Sequence, residues 1–111
     1  KLQQMPDATT RIAALNDHTL RTLRECRVII TAGVQALGNV DAVLRQVQVF
    51  EAFTPDNDPY GEYDFGSITL EGTAIFWKID YYDLDLHMHS PDPSDETVTA
   101  RVLTIMLAEE Y

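Results

Sequence analysis

One cysteine, Cys26, stands among 111 residues. No intrachain disulfide can form, and a zinc site built on several thiolates is excluded. The expectation is a reduced, cytoplasmic protein in which Cys26 is a small core residue rather than a reactive thiol. Long apolar runs are missing too. None approaches the ~20 residues of a membrane span, and the chain does not open on a basic, then apolar, then small-residue leader. No glycine-rich phosphate loop is present, and Ser67, Ser90 and Ser94 lack the context that activates a nucleophilic hydroxyl. Nor does any motif fix a biochemical activity.

Bases are scarce, and unevenly so. Residues 1–48 hold six bases and four acids, whereas residues 49–111 hold fourteen acids and only Lys78 and Arg101; +2 and −12 sum to the net charge of −10. Such a field repels nucleic acid and anionic membranes and attracts basic surfaces, so direct DNA or RNA binding is not expected.

What remains is the composition of one globular domain, 45% apolar and 9% aromatic over residues 1–111. Residues 1–6 are read as disordered or a remnant of processing. A helix is predicted over 8–25, carrying Ile12, Leu15, Leu20 and Leu23, with Asp7, Thr9 or Thr10 as cap. Arg21, Arg24 and Arg27 then line its solvated face. "RVIITAGV", 27–34, reads as a buried strand and Val40 to Phe53 as a second helix with Asn39 at its N-cap. "FGSITL" and "TAIFWKIDYY" flank Glu71-Gly72 as a hairpin, with Ile75, Trp77, Ile79 and Tyr81 facing the core. "DLDLHMHS", 83–90, alternates strictly and predicts a half-buried strand. Asp92, Pro93 and Asp95 open a predicted last helix, 93–109, with Val98, Val102, Leu103, Ile105 and Met106 on its apolar stripe. The fold class is α+β: a mainly antiparallel sheet of three to four strands, with about three helices on one face.

Two acidic stretches carry candidate chemistry. In "DNDPYGEYDFG", 56–66, Asp56, Asp58, Gly61, Glu62 and Asp64 fill EF-hand positions one, three, six, seven and nine. Position five is Tyr60, and position twelve, the bidentate glutamate, is Ser67. The match therefore fails where most of the binding should arise. Asp58-Pro59-Tyr60-Gly61 instead fits a type I turn, and Asp56 and Asn57 can satisfy local backbone donors. On the predicted strand 83–90, Asp83, Asp85, His87 and His89 share one side, and His87 and His89 would stand ~7 Å apart. A solvated strand face accounts for them without a metal. No metal is favoured; the alternatives are Asp56, Asp58, Glu62 and Asp64, or His87 and His89. No cofactor and no catalytic residue is expected, since carboxylate pairs in so acidic a chain arise by chance.

Five blocks nevertheless look familiar: "RIAALND" (11–17), "TAGV" (31–34), "FTPDNDPYGEYDFG" (53–66), "FWKIDYYD" (76–83) and "RVLTIMLAEEY" (101–111). They resemble a family of small bacterial proteins of unknown function, often encoded on plasmids and other mobile elements. The resemblance implies no activity and no catalytic residues, but it points to mobile-element biology, where small acidic proteins include anti-restriction and anti-CRISPR inhibitors. The expectation is a non-enzymatic protein that binds a basic surface, such as that of a defence nuclease. Its contact region would be Asp56, Asp58, Tyr60, Glu62, Tyr63 and Asp64, extended by Asp80, Asp83 and Asp85. A divalent-metal binder or metal-dependent hydrolase and a homodimeric structural module are the alternatives.

Overall fold

The computed structural model describes residues 7–111, so the expectation for residues 1–6 lies outside it. Helix α1, Ala8–Thr22, starts where the Asp7 carboxylate accepts the Thr10 N–H at 2.8 Å. It stops at Leu23, whose left-handed backbone (φ 54°) closes the last turn onto the Thr19 carbonyl. The predicted arginine face is thus broken: Arg24 lies beyond the helix, and Arg27 opens strand β1, Arg27–Ile30. Thr31 ends that strand four residues before the predicted limit. Its hydroxyl caps the one-turn helix α2, Ala32–Ala36. Helix α3, Val40–Gln48, follows with Val43 and Val47 buried, and ends before Phe53.

Strands β2, Phe65–Leu70, and β3, Thr73–Tyr82, form the predicted hairpin. Glu71 and Gly72 both take positive φ, 51° and 80°, as the tight two-residue hairpin turn requires. The last long segment overturns its prediction. Residues 100–107 are strand β4, Ala100–Leu107, and only a short 3-10 turn, Ala108–Glu110, follows. Spacings of three and four among Val102, Leu103, Ile105 and Met106 suggested a helix, but β4 is an inner strand whose side chains are buried on both sides of the sheet, Leu103 and Ile105 in the helix-covered core and Val102 and Met106 on the helix-free face. The capping residues Asp92 and Asp95 do bind local donors, Ser94 N–H and Thr97 N–H, but they hold turns rather than a helix. Strand 83–90 is likewise absent. Asp83 accepts the His87 N–H and its carbonyl accepts the Leu86 N–H, folding the segment into a tight loop with one bridge, Tyr82 to His89.

The four strands run in the order β1-β4-β3-β2. β2–β3 and β3–β4 are antiparallel, and β1 pairs parallel with β4, so the α+β class holds with a mixed, mostly antiparallel sheet. The helices pack on one face. Ile12, Leu20, Val34, Val43, Val47 and Phe50 meet the inner face of the sheet, made by Ile68, Ile75, Trp77, Ile79, Leu103 and Ile105. The prediction for Ile75, Trp77, Ile79 and Tyr81 is borne out; all four are buried. Phe50 and Phe53 set their rings edge-on to Trp77, at 5.3 and 5.9 Å. No described helix is long and apolar enough to cross a membrane.

Candidate functional site

Tyr81 on β3 and Arg101 on β4 are register partners, and they close the inner face of the sheet at one end. Three acidic loops are tied to this rung. Glu62 of the 54–64 loop accepts the Tyr81 hydroxyl at 2.9 Å. Ser90, ending the 83–90 loop, donates its N–H to the Tyr81 carbonyl, and an Arg101 terminal nitrogen donates to the Pro93 carbonyl of the 91–97 loop. Asn16 on α1 joins them. Its amide donates to the Tyr81 hydroxyl (2.8 Å) and the Glu62 carbonyl (2.9 Å), and its oxygen accepts the Arg101 Nε–H at 2.8 Å. The result is a buried relay from Arg101 through Asn16 and Tyr81 to Glu62, built from a helix, two strands and a loop.

Each member has a chemical reason to be there. Arg101 is 5% exposed and Asn16 fully buried, so their polar atoms need partners inside the protein. The Arg101 guanidinium also lies 5.2 Å from the Tyr81 ring centroid, a cation–π distance. Burial, and next the hydrogen bond to Glu62, push the Tyr81 phenol far above its ordinary range, with the Asn16 bond opposing; it stays protonated and donates to Glu62. Burial draws the Arg101 pKa down, while Tyr81, Glu96 and Glu62 hold it up.

The predicted contact residues fare differently. Asp56 and Tyr60 are exposed, Tyr60 at 79%. Asp58 is buried: its carboxylate accepts the N–H groups of Glu62 and Tyr63, and its carbonyl accepts the Gly61 N–H, closing the predicted turn. Asn57, not Asp56, supplies the other local cap, accepting the Thr54 N–H. Tyr63 takes φ 60° and stacks on Phe53 at 4.3 Å. Asp64 is half-buried, and its pKa is raised by desolvation first, then by Glu62, with smaller contributions from Asp58 and Asp80. Asp80 lies on the opposite face of the sheet, paired with Lys78 at 2.8 Å, and does not extend the loop patch. Asp83 is held by its loop, whereas Asp85, His87 and His89 are exposed, and His89 rests edge-on to Tyr81. The expected shared face of Asp83, Asp85, His87 and His89 does not form, because the chain turns there. Among the described residues no three His, Cys, Asp or Glu side chains gather as metal ligands would.

Four acids from 56–64, two from 83–85 and three from 92–96 thus lie in the three loops tied to this rung, nine of the chain's 18, with Asp58 among them buried. Tyr60, Tyr63, Leu84 and Met88 are exposed in the same loops. Sequence reading took Asp92 and Asp95 only as a helix start and Tyr81 only as a core residue, and it missed Glu96, Asn16 and Arg101. The relay's pairing depends on sequence separations as large as 85 residues, and only the polar Asn16 among apolar helix positions hinted at it.

The fold and this pole define a small α+β protein with an acidic, aromatic-studded end. By sequence, residues 30–110 match the family described as "Protein of unknown function (DUF3768)", and the chain belongs to that family. No curated protein and no solved structure matches it.

Proposed function

We infer that the protein is a non-enzymatic, cytoplasmic interaction module whose acidic pole docks on a basic protein surface. The observation that carries the reading is the convergence of three acidic loops on the Tyr81–Arg101 rung. Carboxylates held on a rigid base present charge at low entropic cost, and clustered charge of one sign speeds association with an oppositely charged partner. Tyr60, Leu84 and Met88 supply the apolar area that charge alone lacks. The finer reading is an inhibitor encoded on a mobile element, whose pole competes with nucleic acid for the basic groove of a bacterial defence nuclease.

Capture from a bacterial lysate at low and high salt, with identification by mass spectrometry, tests it. The partner should be basic, released by salt, and displaced by short duplex DNA. The informative variant combines Asp56→Asn, Asp85→Asn, Glu96→Gln and Tyr60→Ala, all at exposed positions, and leaves the structural Asp58 in place. Association at low salt should slow by about tenfold. Capture that ignores both salt and this variant removes the support. A homodimer is a second reading, favoured by the helix-free face of the sheet, where Ile29 stays 44% exposed beside Thr104. Sedimentation across a concentration series decides it.

A further inference from the structure

The two edges of the sheet differ in how they are guarded. β1 is four residues long, begins on the charged Arg27, and has its Ile30 carbonyl covered by the Gln35 side-chain amide at 2.8 Å. Shortness, charge and a covering group are ordinary defences of an edge strand. β2 has none of them. Its residues, Phe65–Leu70, include no charge and no proline, and all of them pair with β3 in unbroken register.

The ladder decides which backbone groups β2 leaves open. The Ile79 N–H bonds the Asp64 carbonyl, so in the same register Gly66, Ile68 and Leu70 turn their N–H and C=O groups to β3. Those of Phe65, Ser67 and Thr69 point outward, and no other described strand pairs with them. Ser67 and Thr69 are exposed.

We propose that β2 pairs antiparallel with β2 of a second copy, about a twofold axis at Ser67, so that two four-stranded sheets become one. The strand is self-complementary in that register. Ser67 meets Ser67 of the second copy and Phe65 meets its Thr69, which satisfies every outward N–H and C=O of both strands. Phe65, already packed on Phe76 and Tyr111 at 5.1 and 5.8 Å, gains a β-branched neighbour. On the inner face Ile68 stands opposite Gly66 of the second copy, where no side chain obstructs it.

The net charge of −10 opposes self-association, and this register limits the repulsion. The 54–64 loop leads into the start of β2, so the twofold sends the two acidic poles to opposite ends of the joined sheet. A basic peptide would need acids along the edge, and β2 has none between Asp64 and Glu71. The junction therefore uses neither the acidic pole nor Ile29, which lies on the opposite edge strand.

Sedimentation of the full chain across a concentration series should show a monomer–dimer equilibrium. Salt should tighten it by screening like charges, the reverse of its effect on docking. Amide hydrogen exchange followed by NMR should slow at least tenfold at Phe65, Ser67 and Thr69 between dilute and concentrated protein, while Val28 on the other edge keeps its rate. Ser67→Pro removes a donor that the fold itself does not use, once in each copy. It should weaken association at least tenfold, as loss of two hydrogen bonds implies, and leave the near-ultraviolet signal of Trp77 unchanged. In a Cys26→Ser background, oxidation should cross-link Ser67→Cys chains, since such a pair sets its α-carbons about 5.5 Å apart. Thr69→Cys chains, more than about 10 Å apart along the strands, should stay single. A chain monomeric up to about 1 mM, a dimer indifferent to Ser67→Pro, or cross-linking that favours Thr69→Cys overturns the proposal. So does a dimer lost on Ile29→Lys, which would assign the contact to the helix-free face, or edge amides protected only when another protein is added.

Discussion

Removing the Asn16 side chain tests the relay most directly. Asn16→Ala deletes three hydrogen bonds at once, to the Glu62 carbonyl, the Tyr81 hydroxyl and the Arg101 Nε–H. Two involve neutral partners and are worth about 1 kcal/mol each; the third involves a charged, buried donor and is worth about 1.5–3 kcal/mol. Adding the gap left by a fully buried side chain, the expected loss is about 4 kcal/mol, a large share of the ~5–15 kcal/mol that holds such a domain together. Tyr81→Phe removes only the hydroxyl, and the Asn16 amide keeps the Glu62 carbonyl, so the expected loss is about 1–2 kcal/mol. Because the two side chains share a bond, the double variant should lose less than the sum, by at least ~0.5 kcal/mol. Urea unfolding followed by circular dichroism gives each value, with an unchanged slope confirming that the unfolded state is comparable. If Asn16→Ala costs under 1 kcal/mol, or the two changes simply add, the relay is a geometric coincidence and the pole has no rigid base.

Other expectations follow from single features. Asp58→Ala should cost about 1–2 kcal/mol in urea unfolding, because two N–H groups lose their acceptor, whereas Asp56→Ala, at an exposed position with no such bond, should cost nothing measurable. A β-carbon at Gly66 would overlap the Trp77 indole, which is fully buried. Gly66→Ala should therefore lower stability by about 2–3 kcal/mol and alter the near-ultraviolet signal of the only tryptophan. Asp64 has a raised pKa in the folded state, so the native chain binds more protons than the unfolded chain above the ordinary carboxylate range. Its contribution thus falls as pH rises through that window; Asp64→Asn should stabilise at pH 7, with the gain vanishing as pH drops below about 4, by thermal melts across pH.

The hairpin was legible because its signals are local: an alternating run, a Glu-Gly turn and a four-residue core face. The Asp58 turn was legible for the same reason, although its carboxylate proved to be an internal cap and not a contact. β4 was misread because an inner strand loses its alternation. With Val102 and Met106 buried on one face and Leu103 and Ile105 on the other, the pattern is apolar at both periods, and Asp92 and Asp95 mimic a helix start. Its β-branched stretch from Thr97 to Ile105 was the better guide. The 83–90 loop failed in the opposite direction. Its alternation is real, but the Asp83 carboxylate captures the His87 N–H four residues on, and this local bond prevails over the pattern.

These two misreadings have one consequence for function. A strand at 83–90 and a helix at 93–109 would have spread the acids along two elements. Instead β4 brings Arg101 beside Tyr81, and the two segments become loops returning to the same rung. Acids distant in sequence are gathered there by a buried arginine and a buried asparagine, so the charge of the surface depends on the polarity of the core. Hence a core substitution such as Asn16→Ala should weaken partner capture as strongly as neutralising exposed acids, even under conditions where the variant remains folded. Substitutions at Asp80, neutralised by Lys78 on the far face, should leave capture unchanged.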